Sequence, residues 1–515
     1  MPIALITSGS YVDAELGAEF GRLPPAFLPL GHKRLYEIQA DLLGENVHLS
    51  LPASFAVPDA DRKRIAELGI QIVPVPDGLR LGESIRFALE MIGRSEAPVR
   101  LLHGDTIIQD LPEGFDVLAV GDPPEAYDWG LASPGASGDT REVLAGYFAF
   151  SDGRALRRAL AVANGDFLDA LDRYGQSNGL TNQPVKRWND FGHLQTFYRS
   201  RCTMRIQRSF NDMAISFSRV EKSSADRAKI EAEANWFENL PPPLRLHAPA
   251  YLGKGTGEGG DASYCIEYLP TPTLHELFVF GAIGEGHWRQ ILGGCFAFME
   301  SCLVHAPGPA PADCLDRLTA GKTAARLDSF LAREGLGRDV EFAYRGKRTP
   351  SLHRIAEIAS DAIEGGDVGL GGVMHGDLCF TNTFYDFRTR RIRAIDPRGS
   401  IDGVQTVLGD LRYDLAKLGH SLLGGYDFVL ADRFAATGYA SRDMEIAFPP
   451  DSPIPLLRAV AADFDLRGRK LGNRENVGIM IHLFLSMLPL HADHPHRQQA
   501  FVANALRLFA EEMDA

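Results

Sequence analysis

Short apolar runs punctuate the first two hundred residues. Pro2–Thr7, Val47–Pro52, Gln71–Pro76, Val99–His103 and Asp116–Gly121 each read as a strand, and helical stretches such as Gly82–Gly93 alternate with them. That alternation predicts a mostly parallel sheet with helices on its faces. From about residue 200 the pattern changes. Ile215–Val220 alternates as a strand, Asp226–Phe237 reads as a helix, and Tyr264–Leu269 reads as a buried strand. Further on, Gly371–Met374 reads as a short strand entering a loop, and Thr383–Tyr385 with Arg391–Ile395 as a hairpin leaving it. The longest apolar stretch, Val477–Leu490, spans 14 residues and includes His482, too short to cross a bilayer, so a buried helix is expected there. Between the two patterns, Leu194–Arg208 reads as a basic, extended junction.

A chain of 515 residues exceeds one ordinary core, and the change of pattern sets the boundary near residue 200. The net charge of −14 argues against a broad nucleic-acid footprint, though not against nucleotides bound locally. Six cysteines lie scattered without a C-x-x-C pair, which fits reduced thiols better than a disulfide framework or a zinc site. Met1–Gly9 has no basic leader and reads as a first strand, so a cytoplasmic protein without membrane insertion is expected. The histidines at 482, 491, 494 and 496 lack the spacing of a metal site.

Chemistry concentrates in Val373-Met-His-Gly-Asp-Leu-Cys-Phe-Thr-Asn382, followed by Ile395-Asp-Pro-Arg-Gly399. Asp377 stands five residues before Asn382 and nineteen before Asp396. That is the set needed to move a phosphoryl group from ATP to an alcohol: one carboxylate for the hydroxyl proton, and amide and carboxylate oxygens for Mg²⁺. Arg398 beside Asp396 either touches the phosphates or neutralises the carboxylate. This segment resembles the aminoglycoside phosphotransferase and choline kinase family, and in particular its capsule-biosynthesis members. The resemblance implies an α+β, protein-kinase-like domain over residues 201–515, with an N-lobe at 201–270 and a C-lobe at 271–515.

The rest of such a kinase can be sought around this loop. Lys222 would engage the α/β-phosphates, held by Glu233 with Glu231 as the alternative, and Asp414 in Gly409–Lys417 would brace the catalytic loop. The strand ending at Glu267 and Leu269 would become the hinge whose backbone binds adenine. Gly255–Gly260 satisfies G-x-G-x-x-G but opens no helix, so a hairpin tip is expected instead. In place of a glycine-rich loop before Lys222 stands Arg208–Asp212, with Ser209 and Asn211 as weak candidates for phosphate contact.

In the first two hundred residues, three features fall where an open α/β sheet collects ligands: Ser8-Gly-Ser10 with Gly21–Tyr36, Leu102-His-Gly-Asp-Thr106, and Trp188-Asn-Asp-Phe-Gly-His193. Their arrangement resembles a sugar-phosphate nucleotidyltransferase, with a GT-A/Rossmann-like α/β fold over residues 1–200. The resemblance implies Asp105 and Asp190 as Mg²⁺ ligands and Ser8, Gly9 and Arg22 in the nucleotide loop. It also places Pro25 where that family has its catalytic Lys, so Arg22 and Lys33 are the substitute cations. His-Gly-Asp occurs at both 103–105 and 375–377, but only the second has Asn five residues later, and the repetition reads as coincidence.

Together the two resemblances imply a bifunctional enzyme. One part phosphorylates a sugar, polyol or amino alcohol with ATP and Mg²⁺. The other transfers a nucleoside monophosphate from a second NTP, CTP or UTP, to that phosphate for a surface polysaccharide. The alternatives are a kinase with an inert first domain, and a scaffold without catalysis.

Overall fold

The apolar runs of the first two hundred residues assemble into one seven-stranded sheet. In space its order is Thr181–Pro184, Val117–Gly121, Val143–Phe150, Val99–His103, Ile3–Thr7, Val47–Pro52 and Gln71–Val75. Only Val143–Phe150 runs antiparallel to its neighbours. The computed structural model describes residues 1–122, 142–204, 212–216, 218–257, 260–306, 308–363 and 370–513. By contacts the chain divides into two units, Met1–Met204 with Phe280–Ala282 and Arg205–Val279 with Ile283–Ala515.

In the first unit Ile3, Leu5, Leu101 and Phe148 of the sheet pack with Ile85, Leu89, Leu156, Leu160 and Phe167, all buried. Strand order reverses beside Ile3–Thr7, whose neighbours are Val47–Pro52 on one side and Val99–His103 on the other. Such a reversal opens a crevice at the strand ends. Gly104 lets the two ends meet. Its N–H donates to Thr7 O at 2.9 Å, and a Cβ there would fall 2.9 Å from Ser8 Cβ. Ser8 then ties in the next loop: its hydroxyl oxygen accepts the Ala26 N–H at 3.0 Å, and its own N–H donates to Ser50 Oγ at 3.0 Å.

Two local expectations change. Leu194–Thr203 is a helix rather than extended chain, because Leu194, Phe197, Tyr198 and Cys202 recur at helical spacing and are all buried. The remainder of that junction, 205–208, lies outside the described residues. Ile215–Val220 is not one strand but the turn of a hairpin between Asp212–Ile215 and Arg219–Ser224. Ser216 N–H closes it on Arg219 O at 2.8 Å, and Ile215 pairs with Val220.

The second unit begins with an antiparallel sheet in the order Asp212–Ile215, Arg219–Ser224, Ala262–Glu267, Tyr251–Thr256. The glycine-rich segment forms the hairpin joining its last two strands in sequence, with Gly257 N–H donating to Asp261 O at 2.9 Å; residues 258–259 lie outside the described set. Helix Arg227–Glu238, capped by Asp226, packs on this sheet through Phe237, which stacks on Tyr251. The remainder is largely helical around Arg474–Met487, buried from Asn476 to Ser486. All six cysteines are free, and among the described residues no helix is long and apolar enough to cross a membrane.

Replacing Ser8 by Ala strands the Ala26 N–H in a buried setting. The expected cost is about 1–3 kcal/mol of unfolding free energy, read from the urea midpoint. An unchanged midpoint would mean that the Ser8 bond does not hold the loop.

Candidate functional site

In the second unit, Lys222 lies opposite Tyr264 in the strand register, so both side chains share one face of the sheet. Helix Arg227–Glu238 brings Glu233 to the same face. Lys222 Nζ lies 2.6 Å from Glu233 Oε2 and 3.1 Å from Asp396 Oδ1, and Tyr264 Oη donates to Glu233 Oε2 at 2.8 Å. Lys222 is 3% exposed. Burial opposes its charge, but Asp396 and Glu233 outweigh that and hold the ammonium above its ordinary range. Glu231 points elsewhere and pairs with Arg227 at 2.7 Å. The approach depends on Gly399, whose φ is +65° and whose Cβ, if present, would lie 1.9 Å from Ala232 O. The loop after Asp396 thus touches the helix backbone one residue before Glu233.

The His375-Gly-Asp377 turn hangs from one buried carboxylate. Asp414 accepts the N–H groups of His375 and Gly376, each at 2.7 Å. Burial pushes its carboxyl up to about 7 despite those bonds. Three residues along the same helix, Leu411–Leu422, Lys417 Nζ sits 2.8 Å from Asp377 Oδ1, since i and i+3 share a helix face. Burial opposes ionisation of Asp377, but Lys417, Arg398 and His375 outweigh it and hold the carboxyl at about 2.

Asn382 joins the loop to the end of strand Arg391–Ala394. Its Nδ2 donates to Asp377 Oδ2 at 2.9 Å and Asp377 O at 3.1 Å, while its own carbonyl accepts Ile395 N–H at 2.9 Å. Asn382 Oδ1, a hard acceptor, accepts from Thr381 Oγ1 at 3.4 Å. Arg398 resolves away from Asp396: it donates to Gly376 O at 3.3 Å and Tyr413 Oη at 3.1 Å. At the strand end proposed as hinge, Leu269 is buried and the Glu267 carboxylate accepts from Ala250 N–H and pairs with Arg393, both at 3.0 Å. Ser209 and Asn211 lie outside the described residues.

In the first unit, Thr106–Ile108 pairs with Trp188–Asp190 so that Asp190 faces Thr106, and Phe191 N–H donates to Asp105 O at 2.7 Å. Both carboxylates converge on Gly192: a Cβ there would lie 2.6 Å from Asp105 Oδ2 and 3.4 Å from Asp190 Oδ1. Burial first, then the Asp105 charge, pushes Asp190 up to about 7, although Thr196 Oγ1 donates to it. The pair borders a cavity of about 480 Å³ lined also by Thr7, His103, Trp188 and Pro25, within the size range of small-molecule sites. Gly9 packs against Ser84 and Val75. Arg22 turns onto the Tyr11 ring at 3.9 Å and toward Asp77 at 3.8 Å. Lys33 is exposed on the short strand Lys33–Arg34.

Several residues escaped the sequence reading. Lys417 carried a signal, standing three residues after Asp414. His103, hydrogen-bonded through Nδ1 to Thr7 Oγ1 at 2.9 Å, lines the cavity as part of the His-Gly-Asp set aside as coincidence. The Tyr264 hydroxyl gave none, because only the strand register places it on Glu233.

Asn382, Asp396, Asp105 and Asp190 carry hard oxygen donors of the kind that would suit Mg²⁺, which keeps several waters and takes few protein ligands. Among the described residues no group of three or more His, Cys, Asp and Glu could hold a metal.

No protein-family model matches the chain, and a search of curated proteins finds no match. Among solved structures, a nucleoside-diphosphate-sugar pyrophosphorylase from Vibrio cholerae RC9 is similar at 13% identity, covering 39% of this chain and 99% of its own, with a TM-score of 0.33. A thermostable aminoglycoside phosphotransferase APH(4)-Ia with AMP-PNP and hygromycin B shares 13% identity over 60% of this chain and 94% of its own, TM-score 0.35. The GDP complex of aminoglycoside 2'-phosphotransferase-IIIa shares 14% over 59% and 91%, TM-score 0.36.

The raised Asp190 carboxyl makes stability depend on pH. Between the ordinary carboxylate range and about 7 the folded state binds more protons than the unfolded one, so stability falls as pH rises. Thermal melts of the metal-free protein should show this slope, and Asp190→Asn should flatten it. An identical slope in both proteins would place the titration elsewhere. Gly399→Ala should lower the unfolding free energy by about 1–3 kcal/mol, because a methyl at this positive φ meets Ala232 O beside Glu233. The urea midpoint checks this, and an unchanged midpoint would mean that the loop does not press on the helix backbone there.

Proposed function

We propose that the second unit transfers the γ-phosphoryl group of ATP to a small hydroxyl compound. The first unit then joins the resulting phosphate ester to a nucleoside monophosphate from a second NTP, CTP or UTP. The product is an activated precursor of the kind used for capsule or other surface polysaccharides. The observation that carries this reading is two clusters, Lys222 with Glu233 and Asp396 and Asp377 with Asn382 and Lys417, linked by the Ile395 N–H bond to Asn382 O.

In the first reaction the acceptor oxygen bonds to the γ-phosphorus as the β–γ bridging bond breaks and ADP leaves. A carboxylate held at about 2 is a weak base. Asp377 therefore orients the hydroxyl by accepting its hydrogen bond and takes the proton late, which suits a loose transition state needing little base catalysis. Lys222 binds the nucleotide's phosphates, and Lys417 places positive charge beside the acceptor. Mg²⁺, when held by Asn382 and Asp396, would screen the charge on the triphosphate.

In the second reaction a phosphate-ester oxygen bonds to the α-phosphorus of the second NTP, and pyrophosphate leaves. No protein base is needed, because the ester is already anionic. Asp105 and Asp190 would hold the cation that screens the two anions. A second reading, in which the first unit only binds or scaffolds, is favoured by Pro25 on the cavity wall and by Arg22 being engaged with Tyr11 and Asp77.

Phosphorus NMR of the protein with candidate alcohols, ATP and CTP or UTP should show a phosphate ester first and pyrophosphate second. Asp377→Asn should slow ester formation by about 10²–10⁴ yet still release pyrophosphate from pre-formed ester. Asp105→Ala should accumulate the ester. Should the wild-type protein form ester but never pyrophosphate, the second reading holds.

A further inference from the structure

We propose that His103 binds the molecule held in the cavity of the first unit, its Nε2 hydrogen-bonding a ligand hydroxyl beside Asp105 and Asp190. That hydroxyl belongs to the phosphate ester or to the ribose of the second NTP. This rests on the nucleotidyltransferase reading and adds a residue that reads the ligand.

His103 ends strand Val99–His103, directly beside Thr7 in the parallel register. Its Nδ1 lies 2.9 Å from Thr7 Oγ1, and that bond occupies the nitrogen. The ring is wedged edge-on against two buried neighbours, with centroids 5.3 Å from Phe148 and 6.2 Å from Phe167. Those two rings pack on each other at 5.1 Å and 89°. The imidazole is therefore held on three sides, and Nε2 is the polar atom left over. Among the described residues Nε2 has no protein partner, and unlike the ring nitrogens of His420 it is not sealed from solvent. Gly146, whose φ is +85°, keeps this edge open. A Cβ there would fall 3.1 Å from His103 Cδ2, the ring carbon bonded to Nε2, and 2.7 Å from Thr106 Oγ1. His103 and Gly146 both line the cavity of about 480 Å³ that Asp105 and Asp190 border.

The wall of that cavity decides what Nε2 can bind. Among the described residues its carboxylates are Asp105, Asp166 and Asp190, and no Lys or Arg lines it. An anionic group pressed among these carboxylates would be repelled. Phosphates therefore belong with the cation that Asp105 and Asp190 would hold, and the group at the ring is uncharged. With Nδ1 on a hydroxyl, Nε2 is a donor in one tautomer and an acceptor in the other. A ligand hydroxyl answers both.

Packing alone does not account for a histidine here. A histidine that serves only the fold turns both nitrogens to protein, as His482 does in the second unit. Its Nδ1 meets Thr323 Oγ1 and its Nε2 meets Ser360 Oγ, each at 3.0 Å. His103 has the first of these bonds and keeps the second nitrogen for the cavity.

The test uses two amides that each keep one half of the imidazole. An Asn amide reaches where Nδ1 stands, and a Gln amide reaches where Nε2 stands. His103→Asn should therefore keep the Thr7 bond and lose the ligand, while His103→Gln should lose the Thr7 bond and recover the ligand. Pyrophosphate release by the full chain is followed with Mg²⁺ and CTP or UTP. The ester probes are glycerol phosphate, ribitol phosphate and glucose 1-phosphate, with phosphocholine as an ester that lacks a hydroxyl. His103→Asn should melt near the wild-type temperature yet raise the KM of one substrate by about tenfold. His103→Gln should melt lower yet hold that KM within about threefold of wild type. A rise for the hydroxyl esters with phosphocholine unmoved assigns the hydroxyl to the ester. A rise for CTP or UTP with every ester unmoved assigns it to the ribose. KM values that follow the melts, with His103→Asn like wild type and His103→Gln impaired, overturn the inference and leave the nucleotidyltransferase reading intact. So do KM values unchanged in both variants, or an equal rise for phosphocholine and the hydroxyl esters. A wild type that releases no pyrophosphate from any pair overturns both.

Discussion

Lys222 is a buried ammonium shared by two carboxylates that are far apart in sequence. A charge so far from water is tolerated only when it is paired and hydrogen-bonded, and removing one partner of such a pair costs about 3–5 kcal/mol. The geometry around it follows from that need. Helix Arg227–Glu238 must present Glu233 rather than Glu231 to the sheet, and Tyr264 completes the coordination of Glu233 from the facing strand. The strand end must deliver Asp396 to the same nitrogen, which requires a residue without a side chain at 399 and the Asn382–Ile395 bond behind it.

The two candidate sites handle paired carboxylates in opposite ways. In the second unit each carboxylate already has an ammonium: Asp396 has Lys222 and Asp377 has Lys417. The charge is compensated before any ligand arrives, and Asp377 stays ionised far below neutrality. In the first unit Asp105 and Asp190 converge on the same glycine, and burial with mutual repulsion drives Asp190 toward protonation. A divalent cation is the simplest group that would relieve the second arrangement, while the first is preorganised without one.

Local patterns in the sequence carried much of this. Strand Val47–Pro52 and strand Val99–His103 stand where their apolar-rich runs begin and end. The closeness of Asp377 and Asn382 was legible because both fall within one short stretch, and they meet at 2.9 Å. The misreadings came where tertiary context decided. Basic residues between 199 and 208 drew attention from the apolar stripe that makes Leu194–Thr203 a helix. A tight turn at Ser216 was hidden inside an alternating run. Arg22, marked by the resemblance in the first loop, lies beside Tyr11 and Asp77, partners that the sequence did not point to.

In the proposed kinase, Lys222, Asp396, Asn382 and Asp377 form a site for the triphosphate of ATP with its cation. Titrating ATP into wild-type protein and Asp396→Ala, each with and without Mg²⁺ and each first shown to be folded by its thermal melt, tests it most directly. Magnesium should tighten ATP binding to the wild type by about tenfold or more, and Asp396→Ala should lose that gain. Equal magnesium dependence in both proteins, or none in the wild type, would contradict the account.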